Sequence, residues 1–508
     1  MNLLSSTYVF SLFTLISRVL GYLRDILIAI FLGTSIFADA FFVAFRLPNT
    51  FRRLFAEGTF NAAFIPSYVS EKLKSKEKGK KFADDVFNTL ILILFIIVLL
   101  VEIFTPYLLY LIAPGFLEND YKFDLAVEFT RLTFPFLFFV SLSSFFSGIL
   151  NSNNKFAAAA AAPIILNVIL IITILTSFYF ELNYAKQLSY GVTLAGVIQL
   201  LFLLVYSKKY YNPSFKFRTV LNQKVKYFFK KLLPSVLSSG VTQVNILIGT
   251  IIASFEASAV SYLYYADRIY QINLALAGIA VGTVSLPILS KAIEKKNISK
   301  ISKIQNRSLE LSLLLSVPAS IGLILASEQI INALFGYGSF SEDDINKTAL
   351  ALKYFAYGVP AFALIKILSN LYFARNNTKT PFYLSVLVVS LNVIISLSLF
   401  PTYGFIIIPI ATSISTWVGV LAYIFFLQKL NFLLLQPYLL KKFIIIIFNS
   451  FLMALVLILA LDYFIEYLDY TYKFKSLYLL MIVSFVAVIY LISCYVTGLL
   501  KIKHFSTN

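Results

Sequence analysis

Long apolar runs, each near the roughly 20 residues that a helix needs to cross hydrocarbon, recur along this chain from end to end. Backbone groups inside a bilayer have no water to bond, so such runs must be helical. At about 20 residues per crossing, we place spans at 7–32, 36–69, 87–113, 126–150, 157–180, 187–206, 229–254, 259–290, 308–332, 347–374, 381–400, 404–428, 441–465 and 477–500. Of 508 residues, 59% are hydrophobic, above the roughly 45–50% of soluble domains, so the expected class is an all-α polytopic membrane protein with about 14 transmembrane helices.

The formal charge of +18 could suggest nucleic acid, but its distribution argues against it. Basic residues gather between apolar runs, at Lys72 to Lys81, Lys208 to Lys231, Lys291 to Arg307, Lys441 with Lys442, and Lys501 to Lys503. With the N-terminus cytoplasmic, all of these fall on the cytoplasmic side, as the positive-inside rule requires, and both termini lie inside. Loops 33–35, 114–124, 255–258 and 336–346 fall outside. Cys494 is the only cysteine and His504, in the polar tail, the only histidine, so neither a disulfide nor a cysteine-based metal site is expected, and no cofactor. Arg18, Arg24 and Asp25 interrupt the first apolar run, which therefore reads as a permanent span and not a cleavable signal.

Those charges are the second constraint. Read as a helix, Ser11 to Leu32 places Thr14, Ser17, Arg18, Gly21, Arg24 and Asp25 within about a third of the circumference, opposite Leu15, Ile16, Val19, Leu20, Leu23, Ile26 and Leu27. The next span adds Asp39, Arg46, Arg52, Arg53 and Glu57, and it should break near Pro48. An arginine at the bilayer centre costs roughly 2.5–3.5 kcal/mol, so such residues persist where they face a wet cavity and bind something. Positive charge is in surplus, and guanidinium forks match phosphate oxygens, so a phosphate or diphosphate headgroup is the ligand implied. Helical phase leaves open whether Arg52 or Arg53 faces the cavity. Asp25, Asp39 and Glu57 are expected to hold the arginines in place.

An internal repeat sets the domain plan. Pro135, Ser144, Asn151 and Asn167 recur at Pro360, Ser369, Asn376 and Asn392, and Glu57-Gly58-Thr59 recurs at Val281-Gly282-Thr283. The six-span separation is even, so two parallel six-helix lobes are expected, 1–208 and 209–430, with spans thirteen and fourteen and a tail in 431–508. That plan suits a transporter with alternating access. In the second lobe Asp267-Arg268 supplies the counterpart cation, with Gln271 one turn on.

Residues 17–66, SRVLGYLRDILIAIFLGTSIFADAFFVAFRLPNTFRRLFAEGTFNAAFIP, closely resemble the signature of the MurJ (MviN) family of the MOP superfamily; YYADR, APGF and FPF match as well. The resemblance implies a flippase that carries lipid II, an undecaprenyl-diphosphate disaccharide pentapeptide, outward across the bacterial cytoplasmic membrane. It puts the family's functional arginines on Arg18, Arg24, Arg52 and Arg268, with carboxylates at Asp25, Asp39 and Glu57; the charge pattern itself adds Ser17, Arg46, Arg53, Asp267 and Gln271 as further candidates for the cavity wall. The resemblance also implies a groove for the polyprenyl tail at spans thirteen and fourteen, and membrane lipids and cell-wall synthesis proteins as partners. Gln271 and Asn273 depart from the Glu and Pro often found there. The competing readings are a flippase for another polyprenyl glycan, a drug exporter, a polyprenyl-phosphate enzyme and a scaffold. An arginine surplus disfavours a cation exporter, and a single terminal histidine disfavours the enzyme.

Overall fold

The computed structural model describes residues 3–56, 59–216 and 222–500, and the described residues are helical apart from turns and short linkers. In order they are α1 (Leu3–Leu32), α2 (Ile36–Ala56), α3 (Thr59–Lys74), α4 (Lys76–Ile112), α5 (Asp120–Thr133), α6 (Phe136–Ser152), α7 (Phe156–Tyr179), α8 (Tyr184–Ser207), α9 (Gln223–Ala253) and α10 (Ala259–Leu274). A π-helical turn, Ala275–Ala280, leads into α11 (Val281–Glu294). There follow α12 (Ile298–Leu325), α13 (Ser327–Phe335), α14 (Glu342–Ala356), α15 (Val359–Phe373), α16 (Lys379–Tyr403), α17 (Ile407–Lys429), α18 (Pro437–Tyr463) and α19 (Lys475–Val496). Short polar residues start many of them: the side chains of Ser75, Asn119, Asn183, Asn222 and Asn297 each accept from a backbone N–H three residues on.

Among the described residues, ten segments are long and apolar enough to cross a membrane, and one, Lys379–Lys429, takes in two of the expected spans. The expected spans 7–32, 36–69 and 229–254 fall on α1, on α2 with α3, and on α9. The chain divides into two compact units, residues 1–261 and 262–508. Helix α9 packs on α2, α3 and α4 and so belongs to the first unit.

The repeat is written in the element starts. Ile36 and Ala259 are 223 apart (259 − 36), Lys76 and Ile298 are 222 apart (298 − 76), and Tyr184 and Ile407 are 223 apart (407 − 184). Packing recurs too, each set within its own unit: α3 lies on α4 and α6 as α11 lies on α12 and α15, and α8 covers α6 and α7 as α17 covers α15 and α16. The polar turn after α6 refines the sequence match. Asn154 and Asn376 share the left-handed conformation (φ 57° at both), so Asn376 answers Asn154, three residues beyond the expected Asn151.

The prolines behave in two ways. At Pro135 and Pro360 the helix parts, α5 from α6 and α14 from α15, and the carbonyls freed there find donors on neighbours. Thr193 Oγ1 donates to Leu132 O at 2.6 Å and Trp417 Nε1 to Tyr357 O at 2.9 Å, each three residues before its proline. The break expected at Pro48 does not occur; α2 runs through it to Ala56. The carbonyl four residues before the proline, that of Ala44, accepts from Thr133 Oγ1 at 3.0 Å, so the helix continues with its lost bond replaced. Glu57 and Gly58, between α2 and α3, lie outside the described residues.

Beyond the repeat, α18 and α19 pack on α12 and α13 through a core that includes Leu313, Met453, Leu457, Ile482 and Val486. Two buried amides of α12 hold the linker that leads to them: Gln305 donates to Phe432 O and accepts from Leu434 N, and Asn306 donates to Leu434 O and accepts from Gln436 N. Buried Glu310 on the same helix pairs with Arg307 and with Lys442 of α18, both at 2.7 Å.

Candidate ligand-binding site

Helix α1 presents the two faces read from its sequence. Leu15 and Val19 are each 60% exposed on the apolar side, while Arg24 and Asp25 are buried at 6% and 2% against α7. Arg24 donates through Nε and Nη2 to Asp25 Oδ1 at 3.0 and 2.7 Å, and through Nη1 to Asn167 Oδ1 at 2.9 Å. Asn167 Nδ2 closes the group by donating to the carbonyl of Ser17 at 2.8 Å. A Cβ at Gly21 would lie 3.5 Å from the Asn167 side chain, so the glycine lets the two helices approach here. Ser17, Arg24 and Asp25 are thus brought together, and Asn167 is the member the site reading lacked; its recurrence at Asn392 was the signal. Arg18, at the edge of the same sector, is exposed and has no carboxylate partner among the described residues.

Asp39 has a different role from the one expected. It is fully buried, yet it holds no arginine. Lys122, near the start of α5, pairs with Oδ2 at 2.6 Å; the backbone N–H groups of Ser258 and Ser261 donate to it at 3.0 Å each, and Ser261 Oγ donates at 2.5 Å. The physical reason is position. Asp39 sits in the first turn of α2, beside the 114–122 and 254–261 turns, whereas Arg46, Arg52 and Arg53 lie two to four turns further along. Ser258 carries a left-handed backbone (φ 61°), the place taken by Gly33 225 residues earlier (258 − 33), and its Oγ donates to Thr34 O at 2.6 Å. Gly115 N donates to Ser254 Oγ at 3.0 Å, and a Cβ at Gly115 would come within 2.4 Å of the Phe255 backbone. One carboxylate therefore ties three turns together.

Further along α2, Arg46 donates to Thr250 Oγ1 of α9. Arg52 Nε donates to Asn49 Oδ1 at 2.9 Å, and Arg53 is half-buried beside it. In the second unit, Arg268 Nη2 donates to Tyr264 OH at 2.9 Å with its guanidinium 4.6 Å from that ring, and Gln271 donates its amide to Asp267. A glutamate at 271 would set a second negative charge one turn from Asp267, so glutamine here supplies a donor in place of a repulsion.

Long apolar helices in two repeats, with arginines inside the apolar segments, define a multi-pass membrane protein of transporter architecture. A solved structure described as an inward-facing multidrug resistance MATE family transporter of the MOP superfamily shares the fold: it is 14% identical, with a TM-score of 0.67 over 84% of this chain and 96% of that chain. The chain belongs to the lipid II flippase MurJ family, whose model matches residues 28–503. It is 36% identical over 472 residues to a probable lipid II flippase MurJ of Rickettsia prowazekii (strain Madrid E), covering 92% of each chain. A solved lipid II flippase MurJ in an inward closed conformation is 29% identical, with a TM-score of 0.82 over 96% of this chain and 98% of that chain.

Proposed function

We propose that the protein carries lipid II across the bacterial cytoplasmic membrane from the inner to the outer leaflet by alternating access. The observation that carries the reading is family membership over 28–503, together with an arginine surplus inside apolar helices, which suits a diphosphate. Arg18, Arg24, Arg52 and Arg268 hold the diphosphate in this proposal, and Arg53 and Arg46 lend charge nearby. Arg24 begins paired with Asp25 and Asn167; a phosphate oxygen competes with the neutral Asn167 for Nη1, while Asp25 keeps the guanidinium aimed. The polyprenyl tail stays in lipid along α18 and α19, whose outward faces are apolar: Phe448 and Leu459 are exposed by 60% and 70%.

Fourteen crossings with both termini inside, in two repeats of one helical plan followed by α18 and α19, complete the proposal; the lobe boundary expected at 208/209 moves past α9, which packs with the first unit. In that orientation the Asp39 group lies at the outer end of the helices and is a closure that must open for release. Moving one elementary charge through the membrane potential supplies about 2.3 kcal/mol per 100 mV, enough to bias the cycle.

The reading requires cargo to leave chemically unchanged. The test is to restore lipid II delivery in cells depleted of their own flippase, and to incubate purified protein with lipid II. Outer-leaflet lipid II of unaltered mass is the expected result. Hydrolysed or transferred headgroup would make the protein an enzyme and overturn the proposal.

A further inference from the structure

Where α3 ends, the beginnings of α4 and α9 frame a cleft of about 650 Å³ with a mixed wall. Its apolar side is Pro66 and Phe82; its polar side carries the Ser67 and Ser70 hydroxyls; and Lys224, Lys226 and Lys230 stand over it from the first turns of α9. The helix is fixed there by Phe228, which meets the rings of Phe60, Phe64 and Phe82 at 5.5, 6.2 and 6.4 Å. Glu71 is the one acidic lining residue, and its charge is already used. Lys224 and Lys74 pair with its two oxygens at 2.5 and 2.6 Å and hold its carboxyl below the usual range.

Lys226 and Lys230 are different. They lie one turn apart on one face of α9, both exposed, and neither has a carboxylate partner among the described residues. Like charges at that spacing repel unless an anion sits between them. The same end of α9 carries the positive pole of a 31-residue helix. Basic charge beside hydroxyls, opening on apolar wall at the end of membrane helices, is the chemistry of a phosphate-headed amphiphile, and basic pockets between helices near the cytoplasmic surface take anionic headgroups.

We infer that this cleft binds the phosphate of an anionic glycerophospholipid, with the lipid's glycerol and first methylenes against Pro66 and Phe82. The site is separate from the arginines assigned to cargo, so its failure would leave the transport proposal standing.

The test uses the full-length protein in phosphatidylcholine nanodiscs with a photoactivatable phosphatidylglycerol, and maps the labelled peptides. Labelling within 66–71 and 223–230, displaced by unlabelled phosphatidylglycerol and not by phosphatidylcholine, is the expected result. At about 1 kcal/mol per lysine, the K226Q/K230Q pair should weaken the apparent affinity about thirtyfold, and K226R/K230R should restore it. An unchanged thermal midpoint of K226Q/K230Q in phosphatidylcholine alone excludes misfolding. Unchanged labelling of that variant, or equal displacement by phosphatidylcholine, would overturn the site. Displacement by inorganic phosphate at the lipid's own concentration would assign the site to a free phosphate and overturn the lipid.

Discussion

The buried charges of Arg24, Asp39 and Glu71 in the first unit are each answered by specific partners, and the partners divide them into kinds. Arg24 is neutralised by Asp25 and oriented by Asn167, so an amide sets the aim of a guanidinium. Asn167→Ala should leave Arg24 charged but less directed, costing about 1–3 kcal/mol for the orphaned donor. Lipid II delivery should fall with it, and Asn167→Asp should not rescue, because a second carboxylate would compete with phosphate for Arg24. Delivery assays on both variants check this. Glu71 offers a pH test. Lys224 and Lys74 lower its carboxyl, so the stabilisation it contributes is fully present above the ordinary glutamate range and is lost as pH falls through the lowered value. The thermal midpoint of Glu71→Gln should lie about 1 °C below the parent at neutral pH, and the gap should close in acid below that range.

Helices in this chain survive proline by borrowing donors. Pro48 leaves Ala44 O without its usual partner, and Thr133 supplies one. The two should therefore be coupled: Thr133→Val should cost about 1–2 kcal/mol in the parent and much less in a Pro48→Ala background. A denaturation cycle over the four chains measures the coupling. Much of this level was legible beforehand. Hydropathy placed helices where they are found, while Pro135 and Pro360, read from the sequence as marks of the repeat, also part their helices. Pro48 was misread because a proline shows in sequence while the hydroxyl that repairs it, 85 residues away (133 − 48), does not. Asp39 was misread for a similar reason. Its proximity in sequence to arginines suggested them as partners, but the chain brings back Lys122 and the backbone of Ser258 and Ser261. Lys122 did carry a faint signal, a basic residue within the loop 114–124 expected to lie outside. Arg24 with Asp25 was legible because one helical turn decides it.

Across the whole molecule, two copies of one helical plan account for the architecture, and an added pair, α18 and α19, is tied to α12 by Glu310 and a ladder of amides. The Asp39 group is where this plan bears on transport. Asp39→Ala would leave Lys122 buried without its counter-charge, at a cost of about 3–5 kcal/mol to the arrangement described. If that arrangement is the outwardly closed one, cysteines placed in loops 33–35 and 255–258 should react faster with an impermeant thiol reagent in the variant than in the parent. The central claim is that arginines from both repeats grip one diphosphate. A double-mutant cycle on lipid II translocation, with Arg24→Ala, Arg268→Ala and the pair, measures it most directly. The account predicts that each single change slows delivery about tenfold or more, and that the pair costs clearly less than the product. Translocation undiminished in both single variants would contradict it.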